Sequence, residues 1–154
     1  MPTFKPLHGV VIVATVMAAV ILLNGRDDRP PRERVSSGRD GLVHLKMAEL
    51  PMQQIRFYRY LSPANQEVEF FVGRDEQGAV QAAFDASENH FKLHRGYRYE
   101  NGWVIDNKCG SSKRLNRVNE GGGGCSPIPL PFRTAGDEVL IANADLLQGW
   151  RLFR

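Results

Sequence analysis

From Leu7 to Leu23 the chain reads LHGVVIVATVMAAVILL, with His8 at its edge and Thr15 as its polar members. As a helix rising 1.5 Å per residue this run is about 25 Å long, at the short end of what spans a bilayer. Pro6 suits a first helical turn, and Asn24-Gly25 suits a helix end. The run is longer than the apolar core of a signal peptide, and Leu22-Leu23-Asn24-Gly25-Arg26 offers no small-residue cleavage site. The pattern therefore predicts an N-terminal tail over 1–6 and an uncleaved transmembrane helix over 7–24. The next stretch, RDDRPPRERVSSGRD from Arg26 to Asp40, has no apolar periodicity. It predicts an extended, basic, proline-rich linker over 25–41. Its arginines stand where they can meet lipid head groups, with a plain solvated linker as the simpler reading.

Beyond the linker the apolar period shortens to two. Leu42, Val43 and Leu45 open a domain over 42–154. Ile55–Leu61 (IRFYRYL) alternates like a half-buried strand, and Val68–Val72 and Ala79–Phe84 follow. The turns Ser62-Pro63-Ala64-Asn65 and Asp75-Glu76-Gln77-Gly78 between these runs predict an antiparallel meander. Residues 85–95 are irregular. Asn101-Gly102 then predicts a hairpin of 96–100 with 103–105. Residues 106–126 form a loop-rich insert, with a short helix expected near Lys113–Val118. Pro127, Pro129 and Pro131 make the next segment extended but unfit for a central strand. Glu138–Ala142 predicts a last strand, and Asn143 is placed to cap one helical turn over 144–148. The fold class expected is mainly β: a small antiparallel β-rich domain with a loop-rich insert, preceded by one N-terminal transmembrane helix.

Charge changes the picture little. Of 154 residues 24% are charged and the net charge is +3, which excludes wholesale disorder. The basic residues are scattered, so they read as a solvated surface and no nucleic acid is expected as a partner. Five arginines follow the apolar run and only Lys5 precedes it, which by the positive-inside rule favours a cytoplasmic C-terminus.

The candidate chemistry lies in the irregular stretches. His90 and His94 are four apart, so one helical turn would put both on one face. With Cys109 and Cys125 they could hold zinc or copper. The two cysteines equally permit one disulfide or two buried thiols. The run Gly121–Gly124 lacks the Lys-Ser/Thr of a phosphate-binding loop, and its glycines suit a close backbone approach or positive φ. Ser87 has no Gly-x-Ser-x-Gly setting, and Asp85, Glu88 and Asp106 have no evident partner, so no catalytic residues and no enzyme activity are expected; redox cycling of the two cysteines, without a Cys-x-x-Cys to support it, is the remaining alternative.

The ordered set Ala83-Phe84-Asp85-Ala86, Gly96-Tyr97-Arg98, Asn107-Lys108-Cys109-Gly110 and Gly123-Gly124-Cys125-Ser126-Pro127 with Pro129-Leu130 resembles the FtrD-like membrane iron–sulfur proteins. The resemblance runs from about Leu42 to Phe153. It implies a Cys-x-x-Cys that falls here on Ser87 and His90, a second on Asp106 and Cys109, and a last cysteine at Cys125. Three of those five thiols are missing, so a standard iron–sulfur cluster, usually held by four thiolates, is not expected. His90 keeps ligand character at a thiol position. That leaves a site of His90, Cys109 and Cys125, with Asp106 as an oxygen donor, for one transition-metal ion such as zinc or copper.

The family is associated with membrane iron transport. The resemblance implies a non-catalytic, single-pass accessory subunit of a larger integral-membrane complex, whether respiratory, photosynthetic or transport. It would sit in the cell inner membrane among lipid, with a periplasmic domain bridged between Cys109 and Cys125. No cofactor and no small-molecule substrate are expected on that reading. Tyr58, Tyr60, Tyr97 and Tyr99 could supply contacts, with strand packing as the simpler reading. A metal-binding or metal-transfer protein using His90, Cys109 and Cys125, with Asp106 or His94, is the rival reading.

Overall fold

The computed structural model describes residues 29–154. The transmembrane helix expected over 7–24 lies outside the described residues. Among the described residues no helix is long and apolar enough to cross a membrane.

Among the described residues eleven strands form three sheets. The central one holds β1 (Arg32–Val35), β3 (Gln54–Leu61), β4 (Glu67–Arg74), β5 (Val80–Ser87) and β9 (Pro127–Pro129), in the order β1-β3-β4-β5-β9. β3, β4 and β5 are the expected antiparallel meander, with Phe57 opposite Phe71 and Phe71 opposite Ala83. β9 carries two prolines and takes an edge, where missing amide donors cost least. A second sheet joins β10 (Arg133–Ala135), β11 (Glu138–Ala142) and β2 (Leu42–Lys46). A third joins β6 (Tyr97–Glu100), β7 (Trp103–Asp106) and β8 (Ser112–Arg114).

The central strands bury both faces, which explains the near-continuous apolar reading of Val68–Val72. Side chains alternate across a strand, so even and odd positions serve different cores. Tyr58, Tyr60, Val68, Phe70, Val72, Ala82 and Phe84 pack with Val43, Leu45, Val139, Ile141 and Leu146 on one side. Phe57, Phe71 and Ala83 pack with Tyr97, Val104, Leu115 and Val118 on the other. The small sheets thus cover opposite faces of the central one, giving three layers.

Three expectations change, and the tyrosines take the simpler of their two readings. The stretch expected to be linker contributes β1, which pairs in parallel with β3, Arg32 opposite Phe57. Tyr58, Tyr60 and Tyr97 are buried packing residues, as the strand-packing reading has them, and only Tyr99 of the four keeps substantial exposure. The helix expected at 113–118 is one strand followed by a 3-10 turn, Leu115–Arg117. Asn143 starts the short helix Asn143–Gln148 instead of capping it, and no side chain caps that end.

Candidate metal centre

Three loops converge at one end of the central sheet. The first follows β5 and carries His90, whose carbonyl accepts from Leu93 N–H to start the 3-10 turn Phe91–Leu93. That turn is too short to bring His94 round onto the face of His90. His94 instead adopts a left-handed backbone, φ 48°, and faces solvent. It is not among the converging donors.

The second loop leaves β7 at Asp106, whose side chain is buried. Asp106 Oδ1 accepts from the amides of Lys108 at 2.7 Å and Cys109 at 2.9 Å. These bonds bend the chain so that Cys109 turns back toward Asp106. The third loop is the glycine run. Gly123 and Gly124 hold φ of 85° and 64°, a conformation open to glycine at little cost. The carbonyl of Gly124 accepts from Asn89 N–H at 3.3 Å, which stitches the loop beside His90. Buried Tyr97 donates its hydroxyl to the carbonyl of Cys125 at 2.9 Å, and burial holds that phenol well above its usual pKa.

The result is a compact donor set. One ligand atom each from His90, Asp106, Cys109 and Cys125 lies within 4.8 Å of all the others. His90 Nδ1 is 3.6 Å from Cys125 Sγ. Cys109 and Cys125 are disulfide-bonded, with Cα atoms 6.8 Å apart. Tetrahedral zinc, with bonds of about 2.0–2.3 Å, needs donors roughly 3.3–3.8 Å apart. Cα atoms at this spacing lie at the upper end of the range for a bridge, and two thiolates on one ion need only a modest parting of the sulfurs.

Beneath the cluster runs a buried ion network. Arg32 of β1 donates through Nη2 to Asp85 Oδ2, and its Nε lies 3.0 Å from Glu69. Glu69 also takes Arg59 Nη2 at 2.8 Å. Asp85 Oδ1 accepts from Tyr97 N–H at 2.7 Å. Burial pushes the Asp85 carboxyl up to about 7, against the pull of Arg32 and that amide. A narrow crevice joins the two layers, lined by Asp85, Ser87, His90 and Asp106 among others. The reading of Asp85 as partnerless is thus corrected, and the arginines are not all solvated surface. A carboxylate within Ala83-Phe84-Asp85-Ala86, flanked by core residues, was the signal that a buried cation had to exist.

The family profile of FtrD-like membrane iron–sulfur containing proteins matches residues 50–153, well over half of the chain. The chain belongs to the FtrD-like family. No curated protein and no solved structure matches it. Membership makes it a membrane-associated, metal-related protein. In this FtrD-like chain the four converging residues stand at four of the five positions where the family resemblance places thiols. The fifth, Ser87, is buried in the same crevice. Two cysteines cannot supply the four thiolates of a standard cluster. The donor set of one nitrogen, one oxygen and two sulfurs matches a single ion instead.

Proposed function

We propose that this FtrD-like chain is a non-catalytic, single-pass membrane-anchored protein that binds one zinc-like ion. Its ligands are His90, Asp106, Cys109 and Cys125. The observation that carries the reading is the convergence of these four donors from three separate loops. Asp106 is already oriented by two backbone amides, the kind of outer support that metal ligands require. Zinc accepts mixed N, O and S donors in a tetrahedron, and copper is the competing ion. A domain carrying a disulfide belongs in an oxidising compartment, which supports the periplasmic side of the inner membrane. There the chain serves a larger membrane complex as an accessory subunit, holding or passing on its ion. The buried tyrosines are not the docking surface.

The test is metal content of the reduced, full-length protein in mild detergent. One zinc ion per chain, lost in His90→Ala, is expected. A reduced wild type that retains no transition metal, or a His90→Ala protein that retains it equally, overturns the reading. Copurification of a stoichiometric membrane complex tests the accessory role separately.

A further inference from the structure

The same two sulfurs are asked to do two incompatible things. A metal ion needs Cys109 and Cys125 as thiolates. In the structure they are bonded to one another. The remaining donors of the site, His90 and Asp106, are already gathered around that bond. The bonded and the metal-loaded forms therefore exclude each other while sharing nearly the same scaffold.

The two sulfurs are also unequal. Cys109 is exposed at the tip of its loop, next to exposed Lys108 and 3.3 Å from the Ser111 hydroxyl. Cys125 is half-buried, pinned through its carbonyl by Tyr97 and faced by His90. Thiol–disulfide exchange needs access to one sulfur and a stabilised leaving group at the other. The positions of Cys109 and Cys125 meet those two needs separately.

Resting on the single-ion reading above, we infer that the Cys109–Cys125 bond is the substrate of a dithiol protein, and that its reduction opens the metal site. The partner's thiolate bonds to Cys109 Sγ as the Cys109–Cys125 bond breaks. Cys125 Sγ leaves as a thiolate, taking a hydrogen bond from His90 in the tautomer that carries its proton on Nδ1. The partner's second thiol, deprotonated, attacks its own sulfur in the mixed disulfide and releases Cys109 Sγ. The chain gains two electrons, the partner dithiol loses two and becomes a disulfide, and its two protons pass to the new thiols or to solvent. Loading the ion expels any protons left on the two sulfurs and uses the other tautomer of His90. The partner class is therefore a protein with two vicinal thiols, delivering electrons to the exposed Cys109 side.

The experiment uses the full-length protein in mild detergent with cobalt(II) alone as the metal probe. It compares the air-oxidised form with a form reduced by a phosphine that is then removed without oxygen. The reduced form is expected to bind one cobalt ion, with thiolate-to-cobalt charge-transfer absorption, at least a hundredfold more tightly than the oxidised form. In parallel, a dithiol oxidoreductase whose resolving cysteine is replaced by serine is offered to the oxidised protein. The trapped mixed disulfide is expected on Cys109, located by peptide mass spectrometry. Equal cobalt binding by both forms overturns the gate and leaves the metal site standing. No cobalt binding by either form removes the metal site and the gate together. A trap that forms on Cys125, or none at all, overturns Cys109 as the point of attack.

Discussion

Replacing Arg32 by methionine tests whether the buried network holds the N-terminal strand to the sheet. Methionine keeps much of the stem volume and removes the guanidinium from Asp85 and Glu69, whose side chains are 0% and 9% exposed. Breaking a buried pair by deleting one partner costs about 3–5 kcal/mol. Here the cost depends on pH. In the native chain the Asp85 carboxyl titrates at about 7, above its ordinary value. The folded state therefore binds an extra proton between the ordinary carboxylate range and about 7, and stability declines as pH rises through that window. Above it the native carboxylate is charged and faces Arg32. In Arg32→Met the same carboxyl is pushed higher still, so the folded variant must hold a proton that the solvent increasingly withdraws. The difference in stability is expected to be about 2–3 kcal/mol near pH 6 and to grow by roughly 1.4 kcal/mol per pH unit above 7. Glu69 blunts the total, because Arg59 stays bonded to it. Urea unfolding of the full-length protein, followed by Trp103 and Trp150 fluorescence, reads the difference. The double variant Arg32→Met with Asp85→Asn should lose the growth above 7, since asparagine keeps an acceptor for the Tyr97 amide without a charge. A cost that is constant between pH 6 and pH 8 would refute the reasoning.

Three further outcomes follow from particular contacts. Phe71 is fully buried between Phe57, Ala83 and Tyr97, so Phe71→Ala should cost about 3–5 kcal/mol in urea unfolding. Gly149 has an ordinary φ of −87°, yet a Cβ there would run into the Phe84 ring. Gly149→Ala should therefore destabilise by about 1–3 kcal/mol through overpacking, and an unchanged urea midpoint would count against the packing described. Exposed His44 lies between Glu138 at 2.9 Å and Asp40 at 2.8 Å, and those bonds raise its pKa. Its charged form should persist above the ordinary histidine range, with any stability it lends lost as pH rises through the raised value. An NMR titration of His44 should move back down in Glu138→Gln.

The parts of the fold that the chain announces are those with local causes. The β3–β4–β5 meander follows from alternating runs separated by strong turn residues, and the edge position of β9 from its prolines. β1 has no such signal. Arg-Glu-Arg-Val shows no apolar stripe, and it pairs in parallel with a strand more than twenty residues away. Its chief stabilising contact, Arg32 to Asp85, spans 53 residues. The convergence of the four donors is legible for a different reason. The register of the family motifs points to His90, Asp106, Cys109 and Cys125, the four residues whose donors converge. Spacing alone suggested His94 instead of Asp106, because a helical turn was assumed where the chain makes a 3-10 turn and a left-handed residue.

β1 also decides how force enters the domain. A pull along the strand from its N-terminal side meets the β1–β3 ladder in shear, so its backbone hydrogen bonds resist together instead of opening one after another. The guanidinium of Arg32 then carries part of that load sideways into β4 and β5, whose far end leads to the loop bearing His90. Tension applied upstream of Arg29 would thus reach, through Arg32, the strand whose end leads to the donor cluster.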